Sequence, residues 1–154
     1  MSLFRTLATL GPIGFSSFAP GTVATLATIP FVIARAVYLP LSAEQEFWAL
    51  CGVCIVAWWI ISQALVTFPR DPDPSAIVLD EVAGCLVSFF AVPINWQTVI
   101  IGFTLFRFFD ITKPYAIKWC EQLIGGLGVL ADDIAAGIAT MIVLHGLYRI
   151  GLLS

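Results

Sequence analysis

Charge is what this chain has least of: 11% of its 154 residues are Asp, Glu, Lys or Arg, against 60% hydrophobic, and the mean hydropathy is +0.99. A soluble domain of this length needs a far more polar surface, so a water-soluble globule is excluded. Histidine is almost missing. The single His145 reads as a packing or interfacial residue, because one imidazole cannot build a histidine metal centre. Cysteine is sparse, and Cys51 and Cys54 form a CxxC inside a long apolar run without a His or a second pair nearby, which favours packing over zinc or redox chemistry. Internal repeats, heptads and low-complexity tracts are absent. A cleavable leader is not expected either, since Gly11, Pro12 and Gly14 interrupt the apolar run after Arg5. Residues 1–154 therefore read as a single membrane-embedded domain, with no nucleic-acid partner expected.

What the chain has is apolar length. Residues 47–68 (FWALCGVCIVAWWIISQALVTF) carry no formal charge and make about 33 Å of helix, enough to cross the hydrocarbon layer. The pattern predicts an all-α, compact integral-membrane bundle of about four to five membrane-embedded helices. The first runs from about Thr22 to Tyr38, with Pro30 and Arg35 weakening its claim to a full crossing. The second is Phe47 to Phe68. A third is expected from Asp73, as N-cap before Pro74, to about Val92. The fourth runs from about Trp96 to Lys113 and the fifth from about Asp132 to Leu153, with Tyr115, Lys118 and Trp119 placed between them as an interfacial segment.

Helices joined by short loops alternate across a bilayer, and that alternation collects the scattered charges at one end of the bundle. There the sequence places Pro20-Gly21-Thr22, Asp73 with Asp80 and Glu81, then Arg107, Asp110 and Lys113, and finally Asp132 and Asp133. Asp80 and Gly84 are one turn apart, as are Asp133 and Gly137, so a small residue lies below each acid on its own face and allows close helix approach. A charged side chain deep in a membrane helix costs about 2.5–3.5 kcal/mol, so adjacent acids require partners or a wet cavity. Six carboxylates around two cations leave negative charge over, and oxygen ligands with no His or Cys nearby select magnesium or calcium. Glu44 and Glu46, in contrast, read as ordinary caps or interfacial ion pairs.

Four ordered motifs carry a resemblance: PGT at 20–22, DPSAIVLDEVAG at 73–84, FRFFDITKP at 106–114 and GLGVLADDIAAG at 126–137. Together they resemble the phosphatidylglycerophosphatase A family of magnesium-dependent bacterial membrane phosphatases. The resemblance implies removal of the terminal phosphate of phosphatidylglycerophosphate, a phospholipid substrate, in the bacterial inner membrane. It also implies Mg2+ held by Asp80, Glu81, Asp132 and Asp133, with Asp73 and Asp110 as further ligands or as groups that orient them. Arg107 and Lys113 would bind phosphate, together with Gly21, Thr22 and the amides after Pro20. Attack by water and attack by a carboxylate both remain open.

Other phosphatase chemistries fit poorly. A cysteine phosphatase needs an Arg six residues after its nucleophile, where this chain has Ala57, Ile60, Ala91 and Gly126; histidine lipid phosphatases need at least two histidines. The DxD string at Asp71 and Asp73 follows a membrane helix instead of a buried strand. Two alternatives of other classes are a small transporter or channel with an acidic ion site and a lipid headgroup transferase. Five of the seven Lys and Arg residues lie towards the acidic end, which predicts a cytoplasmic site; five crossings would then put Met1 inside and Ser154 outside.

Overall fold

The computed structural model describes residues 2–69, 74–120 and 123–153, and the ordered elements among them are helical. They are α1 (Leu3–Ala8), α2 (Pro20–Tyr38), α3 (Ala43–Leu65), α4 (Leu79–Ser88), α5 (Trp96–Thr112), α6 (Tyr115–Cys120) and α7 (Gly126–Arg149), with a short 3-10 turn at Ile13–Phe15. The all-helical bundle matches the expected class. Three helices, α2, α3 and α7, are long and apolar enough to cross a membrane.

Local chemistry explains most of the ends. Ser42 and Gln45 form a capping box that starts α3, at 3.2 and 3.0 Å. The Asn95 side chain accepts from the Thr98 amide at 2.9 Å to start α5. Pro30 does not end α2; it lies on the exposed side of a helix that runs unbroken to Tyr38.

Two boundaries differ from the sequence expectation. The third helix begins at Leu79, not near Asp73, because residues 74–78 turn back instead: the Ile77 amide bonds the Pro74 carbonyl, and the Val78 amide bonds the Ala8 carbonyl at 3.0 Å. With ten residues α4 rises about 15 Å and ends before the expected Val92; residues 89–95 complete the run to the opposite end of the bundle, where the Ala91 amide meets Glu46. The last helix begins at Gly126, six residues before Asp132, which places both acids well inside it.

Helix α7 is the hub. It packs against α3, α4, α5 and α6, and its Ala136 and Leu144 are fully buried in a core with Cys85 of α4, Phe89 just past its end and Phe106 of α5. The outer faces of α2 and α3 present Phe31, Trp48, Ile55 and Trp59, as a lipid-facing surface would. At the N-terminus the Arg5 guanidinium lies over the rings of Phe15 and Phe68, at 5.5 and 4.6 Å from their centroids.

The end of the bundle that lacks the acidic motifs is fastened by polar contacts. Arg35 of α2 pairs with Glu46 of α3, whose other oxygen accepts from the Ala91 amide at 3.2 Å. The ion-pair reading of Glu46 matches this contact, although its burial was not expected. His145 Nε2 lies 3.1 Å from the Phe90 carbonyl, and Tyr148 Oη joins Asn95, Thr98 and the Pro93 carbonyl.

Candidate functional site

Two glycines set the geometry. A Cβ on Gly84 of α4 would lie 2.5 Å from the Asp133 carbonyl oxygen and 2.8 Å from the Phe106 ring, while Gly137 of α7 presses against the Gly84 carbonyl. The helices meet at these bare backbones, and each glycine lies one turn below an acid on its own helix. As a result, ligand-type oxygens of Asp80, Glu81 and Asp133 all lie within 4.8 Å of one another. Asp80 and Glu81 occupy the first turn of α4, where the positive end of the helix dipole favours negative charge. Asp133 is 3% exposed.

The start of α2 forms a third wall. Left-handed Ala19 (φ 38°) turns the chain into the helix, and a Cβ on Gly21 would strike Glu81 Oε1 and lie 3.2 Å from Arg107 Nη1. A side chain there would push the Glu81 carboxylate out of its present place. Thr22 follows in the same first turn, whose amides have no intrahelical acceptor.

Helix α5 supplies the cations. Arg107 pairs through Nη1 with Asp110, three residues on, and its buried Nε has no hydrogen-bond partner. Lys113 caps α5 in a left-handed conformation (φ 40°), and its Nζ donates to Asp132 Oδ2 at 2.6 Å. Asp132 therefore turns to Lys113, while its neighbour Asp133 joins Asp80 and Glu81. Asp73 lies outside the described residues.

Five described acids, Asp80, Glu81, Asp110, Asp132 and Asp133, surround two described cations. Glu81 hydrogen-bonds with Asp80 and lies between the opposing charges of Asp110 and Arg107. Glu81 Oε2 and Asp132 Oδ1 are buried without a hydrogen-bond partner. Orphaned carboxylate oxygens beside a tight oxygen cluster fit a hard divalent cation, and among the described residues no second group of three such ligands occurs. His145 lies towards the opposite end of α7 and Cys51 and Cys54 are free thiols within α3, so neither contributes.

Sequence reasoning missed one support. The Val78–Ala8 hydrogen bond holds the segment that delivers Asp80, and no local signal marks it, since the residues are 70 positions apart. Gly126, which lies ahead of the expected start of the last helix, is the first residue of α7 and packs against Ser62 of α3, where its bare backbone allows a close helix approach.

A model of the phosphatidylglycerophosphatase A family matches residues 6–148. Phosphatidylglycerophosphatase A of Escherichia coli K12 is 34% identical over 152 residues, covering 92% of this chain and 83% of that protein. The protein of that name from Haemophilus influenzae is 33% identical over 131 residues, covering 84% and 78%. A Bacteroides thetaiotaomicron protein with the provisional name phosphatidylinositol-3-phosphatase is 37% identical over 134 residues, covering 85% and 84%. No solved structure matches the chain.

Proposed function

The chain belongs to the phosphatidylglycerophosphatase A family, and from that premise we propose that it hydrolyses the terminal phosphate monoester of phosphatidylglycerophosphate at the acidic end of its bundle. The observation that carries the reading is the meeting of Asp80, Glu81 and Asp133 beside Arg107 and the start of α2. Family membership displaces the transporter and transferase alternatives.

Asp80, Glu81 and Asp133 would hold magnesium, with Asp132 and Asp110 adjoining. Bound there, the ion supplies Lewis acidity and neutralises charge on the phosphate. Arg107 offers its unpartnered Nε to a phosphate oxygen while Asp110 keeps the guanidinium in place. Lys113 adds a point charge. The first-turn amides of α2, beside Gly21 and Thr22, face the same anion. In the net reaction the phosphorus–oxygen bond to glycerol breaks, a water oxygen ends on phosphorus, and the glycerol oxygen leaves with a proton. Burial lets these groups act on a phosphate stripped of bulk water.

We infer that the site faces the cytoplasm from a bacterial inner membrane. Arg5, Arg107, Lys113 and Lys118 lie towards the acidic end, whereas Arg35 and Arg149 lie at the other, where Arg35 is paired with Glu46. The E. coli relative, named for a lipid phosphatase, supports the membrane setting.

The deciding experiment measures inorganic phosphate released by the detergent-purified chain from phosphatidylglycerophosphate, with magnesium and with chelator. Magnesium-dependent release is expected; none in either condition would overturn the reading. Phosphatidylinositol 3-phosphate belongs in the same assay because of the Bacteroides relative. Both lipids carry their monoester on a polyol that a phosphodiester joins to diacylglycerol.

A further inference from the structure

Beyond the carboxylates, the break between α5 and α6 opens a groove of about 520 Å³, lined by Thr112, Lys113, Pro114, Tyr115, Lys118 and Trp119. That volume is in the range of small-molecule sites. We propose that this groove seats the phosphodiester of the lipid substrate, with Lys118 as its cationic contact. The proposal rests on the monoesterase reading above and adds a second anion subsite to it.

Continuity with the acidic site is the first argument. Lys113 belongs to both places: its side chain lines the groove, and its Nζ reaches Asp132, the neighbour of Asp133. The groove thus begins at the edge of the reaction centre and leads away from it. Its opening is a backbone consequence. Left-handed Lys113 followed by Pro114 stops α5 and sends α6 off on a new course.

Charge is the second argument. Among the described residues, the lining includes two lysines and no acid. Lys113 is engaged by Asp132, so the ammonium left to meet a ligand along the far wall is that of exposed Lys118. A substrate with two phosphates, bridged by a short polyol, needs one place for each. The monoester goes to Arg107 and the carboxylate cluster, and the diester then falls on the groove.

The third argument is the surroundings. Tyr115 is 88% exposed and Trp119 70%, and both flank the groove. Aromatic rings with a polar tip settle at the headgroup level of a bilayer, which is the depth of a phosphodiester. Lys118 acts here as a specificity-determining contact, not as a participant in bond breaking.

The test uses short-chain phosphatidylglycerol, which keeps the diester and lacks the monoester, titrated calorimetrically into the detergent-solubilised chain without turnover. Lys118→Gln should weaken its binding about fivefold, Lys118→Arg should restore it, and the affinity for inorganic phosphate should stay unchanged. In the kinetic assay Lys118→Gln should raise KM for phosphatidylglycerophosphate by a similar factor with kcat preserved. Equal phosphatidylglycerol affinity in wild type and Lys118→Gln overturns the proposal, as does a matching loss for phosphatidylglycerol and inorganic phosphate. If the wild type released no phosphate from any lipid, the monoesterase reading would fail, while the calorimetric comparison would still decide on the groove.

Discussion

Gly84 lies so close to the backbone of Asp133 that a methyl group added to it would meet the Asp133 carbonyl oxygen at 2.5 Å. Neither partner is a flexible side-chain tip, so the helices must separate to admit it. Gly84→Ala should cost about 1–3 kcal/mol of stability and move Asp80 away from Asp133. Thermal unfolding in detergent and phosphate release, measured together, should show activity lost at temperatures where the variant is still folded.

The carboxylate cluster is tested by isosteric neutralisation. Asp80→Asn and Asp133→Asn should each lower turnover by about a hundredfold or more, a scale set by the losses that even supporting residues around metals produce. Glu44→Gln, at an exposed position in the first turn of α3, should change nothing. Near-normal rates in both aspartate variants would remove the cluster from the chemistry.

Arg107→Lys keeps a positive charge and loses the planar fork. A lost hydrogen bond to a charged group corresponds to about a tenfold to hundredfold fall in kcat/KM. The magnesium concentration for half-maximal activity should hardly move. Unchanged kinetics would leave Arg107 as a structural partner of Asp110.

Lys113 and Asp132 can be separated from backbone effects, because Asn tolerates the left-handed conformation that Lys113 adopts. Lys113→Asn leaves Asp132 buried without its cation. Breaking a fully buried pair costs about 3–5 kcal/mol, and since Lys113 is 27% exposed, about 1–3 kcal/mol is expected here. Adding Asp132→Asn should recover most of the stability without restoring activity, as read by unfolding and phosphate release side by side.

The cytoplasmic placement predicts a labelling pattern in intact cells. With the native cysteines replaced, a single cysteine at exposed Ser75, near the acidic end, should be protected from a membrane-impermeant thiol reagent. One at exposed Ser42, at the opposite end, should react. The reverse pattern would put the site on the other face.

The residues of the candidate site were more legible in sequence than the helix ends that carry them. Spacing alone shows that Asp80 and Gly84, like Asp133 and Gly137, share a helix face, and the structure joins those faces. The division between Asp132 and Asp133 was not legible, because it depends on Lys113, whose backbone turns left-handed at a junction without glycine. The shortness of α4 was hidden as well. Asp73-Pro74 has the composition of a helix start, but residues 74–78 take a partner from α1, and local patterns do not report such distant pairing.

That shortness ties the reacting groups to the far end of the bundle. Because α4 rises about 15 Å and carries Asp80 and Glu81 on its first turn, only about three helical turns separate them from the Ala91 amide that Glu46 accepts from and from the Arg35–Glu46 pair. The carboxylate cluster and that distant ion pair are thus the two ends of one short rod.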